Sequence, residues 1–161
     1  MRSSITKRLA LIAMIPATLF AIVLLASPAN AAAVSTTQLS ADIVKLTNAQ
    51  RAAHGCKALT VDARLTKAAA GHSAYMARGG AFSHTGAGRS SFVTRVKAAA
   101  YPRPLSENIA FGYRTGADVV KGWMASPGHR ANILNCKAST VGVATAYAAN
   151  GNPYYTQDFG Y

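Results

Sequence analysis

The first 31 residues constrain this chain most, because they have the three parts of a secretory signal peptide. Three basic residues lie within the first eight positions, residues 9–26 are almost wholly apolar, and small residues follow up to Ala31. Residues 29–31 fit the A-x-A cleavage pattern, so we predict cleavage after Ala31. Cleavage after Ala33 is the alternative. The signal predicts a secreted, extracellular protein.

The apolar run could instead be a permanent anchor, since about 20 apolar residues span a bilayer. Pro16 interrupts the run and a cleavage pattern follows directly, which favours removal. No other segment predicts a transmembrane span. Cleavage leaves 130 of the 161 residues, the size of one domain. We therefore predict a signal peptide over residues 1–31, a short flexible leader over 32–38, and one domain over 39–161.

The predicted mature chain is strongly basic. It keeps 14 of the 17 Lys and Arg residues and all five acids, a net charge of +9. The basic residues are spread over several predicted elements and form no Lys/Arg-rich cluster, so we predict no nucleic-acid partner. An anionic wall polymer or membrane surface is the partner that this charge favours, and a solvated basic face is the alternative.

Two cysteines remain in the mature chain, Cys56 and Cys136. An even number of cysteines in an exported chain favours a disulfide. The bridge would close a loop of about 80 residues, which the chain-entropy model makes worth about 4–5 kcal/mol at most. Metal ligation by the two thiols is the alternative, but no C-x-x-C spacing supports it.

Apolar periodicity and turn residues predict an α+β fold. Leu39 and Ile43 begin a helix that ends at Gly55, with Thr37 or Ser40 as its cap. The remaining predicted elements are helices over 62–79, with Asp62 as the cap, and 89–100, one beginning at Thr115, a helical turn over 130–134, and a hairpin of strands 140–147 and 154–159. Residues 106–113 could be strand or loop.

Only a few polar residues are candidates for chemistry. Glu107, the single glutamate, lies beside an apolar run, where a carboxylate must be paired or its pKa rises. It either belongs to a site or holds backbone N–H groups. His84 and His129 lie in loop-like segments that could present them in a cleft. His72 is predicted as a core histidine, and Asp158 as exposed or paired with a basic residue.

Five motifs follow one another along residues 39–161: Asn48-Ala49-Gln50-Arg51, Phe82-Ser83-His84, Glu107-Asn108-Ile109-Ala110, the run from Trp123 to Leu134, and Tyr155 to Gly160. In this order they resemble the motifs of the CAP superfamily of cysteine-rich secretory, antigen 5 and pathogenesis-related proteins. The nearest likeness is to the bacterial SCP-like extracellular branch. The resemblance implies an α-β-α sandwich with a central antiparallel sheet between helical layers. It also implies that Asn48 and Arg51 are structural.

The resemblance also implies a cleft in which animal and plant members carry two His and two Glu that can hold zinc. By motif, His84 and Glu107 match the first His and Glu. The other two positions hold Ser126 and Tyr154, so only half of the set is present. His129 is a candidate third ligand. We therefore predict no required cofactor and, at most, a weak divalent cation at His84, Glu107 and His129.

Three functions follow as expectations. The first is a monomeric, non-enzymatic binding module whose cleft takes a lipid, a sterol or a cell-wall ligand. The second is a metal-assisted hydrolase in which His84, Glu107 and His129 hold zinc and activate water. The third is a cationic surface or defence protein. Ser126 and Tyr154 complete the set of predicted cleft residues, and no catalytic residue is assigned.

Overall fold

A computed structural model describes residues 34–161. The predicted signal peptide, its cleavage sites and the start of the leader fall on residues 1–33, outside this described part. The elements in chain order are α1 (Thr36–Ala53), β1 (Thr60–Val61), α2 (Ala63–Ala77), α3 (Phe92–Ala98), β2 (Pro104–Phe111), α4 (Gly116–Ala125), α5 (Pro127–Ile133), β3 (Thr140–Tyr147) and β4 (Pro153–Gly160).

The four strands form one sheet in the order β1-β3-β4-β2. The pairs β3–β4 and β4–β2 are antiparallel, as the predicted sandwich requires. The two-residue strand β1 was not among the predicted elements, and it pairs with β3 in parallel. The predicted α+β class is confirmed, with a mixed rather than wholly antiparallel sheet.

Helices cover both faces of the sheet. One face carries Val141, Val143, Tyr155 and Phe159, which pack with Leu39 and residues of α1, α4 and α5 in the main core. The opposite face lies under α2 and α3. There Gly142 is required, because a Cβ atom at that position would collide with the backbone of Leu65 and Thr66 in α2.

Helix α1 begins earlier than the sequence indicates. Ser35, not Thr37 or Ser40, is its cap, since the Ser35 hydroxyl accepts from the Gln38 N–H at 3.1 Å. Residues 36–38 of the predicted leader are therefore helical. The helix ends before Gly55, as predicted, and Gly55 adopts φ of +77°.

Several boundaries elsewhere differ from the prediction. The ambiguous segment 106–113 contains most of strand β2. Helix α3 starts at Phe92 rather than residue 89, because Ser91 caps it. Pro127, predicted as a break, is the first residue of α5, a position that tolerates proline because no N–H bond is lost there. Asp62 caps α2 as predicted.

The predicted disulfide between Cys56 and Cys136 is present. It lies beside Arg51, which is wholly buried and donates to four backbone carbonyls, those of Lys57, Ile133, Asn135 and Ala138. Asn48 pairs with both backbone groups of Leu59. The two residues are thus structural, as the resemblance implies, and they tie α1 to the segments that precede β1 and β3.

Nowhere in residues 34–161 does a helix have the length and apolar character needed to cross a membrane.

Candidate functional site

Glu107 on β2 and Asp158 on β4 are direct partners across the antiparallel ladder. Residues that face each other in such a ladder project from the same side of the sheet. That side is the one covered by α2 and α3. Both carboxyl groups are buried, Glu107 at 5% and Asp158 at 1% exposure. The sheet therefore places two acids next to each other in the interior.

The Glu107 carboxylate is held at both oxygens. His84 Nδ1 lies 2.8 Å from Oε1, and the Arg95 guanidinium donates to Oε2 at 2.5 Å. Burial acts to raise the pKa of Glu107, but the His84 hydrogen bond and the Arg95 charge outweigh it and lower the pKa below its usual value. Glu107 is thus a paired, ionised carboxylate.

Arg95 also fixes the loop that carries His84. Its guanidinium donates to the His84 carbonyl at 3.1 Å and to the Ser90 carbonyl at 2.9 Å. The His84 side chain remains 57% exposed above the buried Glu107 carboxylate, which is 1% exposed. Since Nδ1 faces Glu107, the Nε2 atom of His84 is the one left to meet solvent or a ligand.

The prediction that Asp158 is exposed or paired with a basic residue is wrong. Neither of its carboxyl oxygens has a hydrogen-bond partner in the described residues. Burial, followed by the adjacent Glu107 charge, raises the pKa of Asp158 well above its usual range. Asp158 therefore favours its protonated form more strongly than a free aspartic acid does, beside the ionised Glu107.

His72 is a core histidine, as predicted. It lies on α2, is fully buried, and its Nε2 is 2.9 Å from the Ser83 carbonyl, which makes Nε2 the donor. Burial lowers the pKa of His72. The neutral His72 ring thus contacts the 83–86 loop at the Ser83 carbonyl, and Arg95 contacts the same loop at the His84 carbonyl.

A groove of about 320 Å³ runs beside the outer edge of β2. We call it the aromatic groove; its lining is Phe82, Ile109, Ala110, Phe111, Tyr113, Gly122, Trp123, Ser126 and His129. Three of its rings are unusually open to solvent, since Phe82, Phe111 and Tyr113 are 46%, 49% and 38% exposed. Phe82 packs edge-on against Phe111 with ring centroids 4.8 Å apart.

The predicted cleft residues lie in three different places. Ser126 and His129 line the aromatic groove. His84 and Glu107 lie beside it, each two residues along the chain from a lining residue. Tyr154 stacks behind Phe111, with centroids 5.7 Å apart, and lines a separate pocket near the end of α2.

A buried chain of amides sets the position of His129. Gln157 donates to Thr47 of α1 at 2.9 Å, and Asn108 donates to Gln157 at 3.1 Å and to the His129 carbonyl at 3.3 Å. Asn132 of α5 donates to Asn108 at 2.8 Å. Burial, and then the nearby His84, lower the pKa of His129, so its ring is neutral at neutral pH.

The donor chemistry does not fit a metal centre as the side chains stand. Both oxygens of Glu107 are engaged by His84 and Arg95, and a guanidinium already supplies positive charge there. Within residues 34–161 no three His, Cys, Asp or Glu side chains are grouped so that they could hold one ion. The predicted cation at His84, Glu107 and His129 remains a prediction, and no step is assigned to it.

Sequence reasoning missed Arg95, Asp158 and the exposed rings as parts of the site. Arg95 looked like one of many dispersed basic residues, and Asp158 like an edge residue among aromatics. A signal was available for Phe111, because positions 107, 109 and 111 of one strand share a face. The pairing of Glu107 with Asp158 depends on strand register, which no local pattern reveals.

The comparisons with known proteins agree on one kind of domain. The model of the CAP cysteine-rich secretory protein family matches residues 44–159. The uncharacterized protein YkwD of Bacillus subtilis is 38% identical over 118 residues, which is 73% of this chain and 45% of YkwD.

Two solved structures resemble the fold. An extracellular SCP-domain protein of Bacillus anthracis superposes with a TM-score of 0.69 at 30% identity, covering 78% of this chain and 41% of that one. An outer surface protein of Borrelia burgdorferi gives a TM-score of 0.66 at 20% identity, covering 79% of this chain and 95% of its own. The chain spans less than half the length of YkwD and of the Bacillus anthracis protein.

Proposed function

Because the chain belongs to the CAP (cysteine-rich secretory protein) family, we propose that it acts outside the cell as a non-enzymatic binding module whose ligand lies in the aromatic groove. The observation that carries the proposal is the exposure of Phe82, Phe111 and Tyr113 along one groove. Of the six large hydrophobic side chains exposed in residues 34–161, these three lie together. Clustered exposed apolar surface of this kind marks binding sites.

The polar residues of the groove would orient the ligand. Ser126 and the neutral ring of His129 lie on the α4–α5 side, and the exposed His84 lies beside the groove. A groove that combines aromatic faces with a few placed polar groups is the usual form of a ligand site. The ligand classes predicted from the resemblance, a lipid, a sterol or a cell-wall component, each present an apolar face to such rings.

The burial and the contacts of Glu107 support binding without catalysis. The carboxylate that could act as a base or metal ligand is buried and held by His84 and Arg95. A general base must be within reach of the proton that it abstracts. These contacts support a role for Glu107 in fixing His84 and its loop rather than in acid–base chemistry.

Fluorescence of Trp123 can test the proposal, because it is the chain's single tryptophan and it lines the groove. Purified protein would be titrated with cholesterol, phosphatidylglycerol vesicles and soluble peptidoglycan fragments. We expect one class to bind, and Phe82→Ala or Phe111→Ala to weaken binding about tenfold or more. The matched control is Val61→Ala, which removes an exposed apolar side chain from β1. Equal affinities for control and groove variants would refute the proposal.

A further inference from the structure

A second groove adjoins the aromatic groove and differs from it in charge. It has a volume of about 550 Å³ and is lined by Tyr113, Arg114, Asp118, Lys121, Gly122 and neighbouring small residues. We call it the cationic groove. Tyr113 and Gly122 line both grooves, so the Tyr113 ring is their common wall. A Cβ atom at Gly122 would lie 2.5 Å from the Tyr113 hydroxyl, which shows how closely that ring packs on α4.

The cationic groove has uncompensated positive charge. Arg114 and Lys121 are exposed, and neither forms an ion pair in the described part of the chain. The one acid of this groove, Asp118, accepts a hydrogen bond from the Thr115 hydroxyl at 2.7 Å. Two cations and one carboxylate leave a net charge of +1, so the groove complements an anion.

The wider surface has the same sign. All 12 Lys and Arg residues of the described part other than Arg51 and Arg95 are exposed, whereas Glu107 and Asp158, two of the five acids, are buried. Charges on a surface of one sign steer an oppositely charged partner toward it. A polyanion would therefore meet favourable charge on its approach as well as in the groove.

The form of the grooves decides between a lipid chain and a polymer. Sites that enclose a small ligand bury 70–90% of its surface or more, by the usual rough measure. The rings of Phe82, Phe111 and Tyr113 instead remain about half open to solvent. An acyl chain laid there would keep much apolar surface in water, which is unfavourable. A sugar chain can place its C–H faces on the rings while its hydroxyl groups stay hydrated.

Resting on the proposed function, we propose that the two grooves together bind an anionic polysaccharide. Its sugar rings lie on Phe82, Phe111 and Tyr113, and its carboxylate or phosphate groups reach Arg114 and Lys121. The common wall at Tyr113 lets one chain pass from the aromatic to the cationic groove. Charge complementarity selects the anionic chain, and the open aromatic faces select the sugar.

The test compares polygalacturonate oligomers with their neutral methyl esters, which have the same sugar chain with each carboxylate masked as a methyl ester. Titrations use Trp123 fluorescence and calorimetry at low and physiological salt. We expect the charged oligomer to bind about tenfold more tightly than the ester. The double variant Arg114→Gln/Lys121→Gln should remove most of this difference. The control Lys45→Gln/Lys137→Gln removes the same amount of charge elsewhere on the surface. It should leave the difference in affinity between the two oligomers unchanged.

The outcomes separate this inference from the proposed function. Equal affinity for the charged oligomer and the ester, with loss of both in Phe111→Ala, overturns the inference and leaves the binding module intact. An equal loss in both double variants also overturns it, because the charge effect is then diffuse. Binding of phosphatidylglycerol vesicles but of neither oligomer replaces the polysaccharide with a lipid. If Phe111→Ala alters binding of no probe, the proposed function itself fails.

Discussion

Replacing Arg51 by methionine should be among the most destabilising substitutions in this domain. The guanidinium donates to Lys57 at 3.0 Å, Ile133 at 2.8 Å, Asn135 at 2.9 Å and Ala138 at 3.0 Å. Two of these carbonyls, on Ile133 and Ala138, are buried in the contact and would lose their partner. An unsatisfied buried carbonyl costs about 1–3 kcal/mol, so we expect a loss of about 4 kcal/mol.

Such a loss is a large part of the stability of a small domain, which is about 5–15 kcal/mol. Urea unfolding of the protein with its disulfide intact, monitored by Trp123 fluorescence, measures this loss of stability. The melting temperature of the variant should fall by about 15 °C. Arg51→Lys should also be strongly destabilising, because a lysine cannot reproduce the planar fork. The control Arg64→Met removes an exposed arginine paired with Asp62 and should shift the midpoint little. A change below about 1 kcal/mol in Arg51→Met would refute the reasoning.

Three further predictions concern the bridge and the acid pair. Replacing both Cys56 and Cys136 by alanine should cost up to about 4–5 kcal/mol in urea unfolding, and an unchanged midpoint would contradict the loop-entropy reasoning. The folded state holds the Asp158 proton more tightly than the unfolded state, so wild-type stability should fall as pH rises above about 4 towards the raised pKa of Asp158. Asp158→Asn should flatten that slope in urea midpoints measured from pH 4 to 8; an unchanged slope would contradict a raised pKa of Asp158. In zinc calorimetry we expect no stoichiometric micromolar binding, because both Glu107 oxygens are engaged. Stoichiometric binding that His84→Ala and Glu107→Ala abolish would show that the metal displaces these partners.

The sequence predicted some of the helix ends and the hairpin turn, because these depend on residues that are close together in the chain. Asp62 caps α2, Gly55 follows α1, and the turn at Asn150 and Gly151 joins two strands whose bounds differ little from the prediction. Segment 106–113 stayed ambiguous because a short apolar run is compatible with strand or loop. Its strand state depends on pairing with β4, which lies about 50 residues later in the chain.

The site shows the same division between local and distant information. Glu107 and His84 were found because a lone carboxylate beside apolar residues and a histidine in a loop are unusual locally. Arg95 was not, because its function depends on α3 packing across β2 so that its guanidinium reaches Glu107. Asp158 was mispredicted because strand periodicity cannot say that α2 packs over this face of β4.

The spacing along β2 separates the Glu107 carboxylate from the Phe111 ring of the aromatic groove. Glu107 and Phe111 project from the same face of the strand, but four residues of strand place them about 13 Å apart. A single sugar ring on Phe111 therefore cannot reach the Glu107 carboxylate, which is itself buried. Glu107 can act on such a ligand only through the loop that it holds by way of His84 and Arg95, the loop that also carries Phe82. Substitutions at Glu107 and at Phe111 should therefore be non-additive in binding titrations of a monomer or of an oligomer, because both disturb the contact between Phe82 and Phe111.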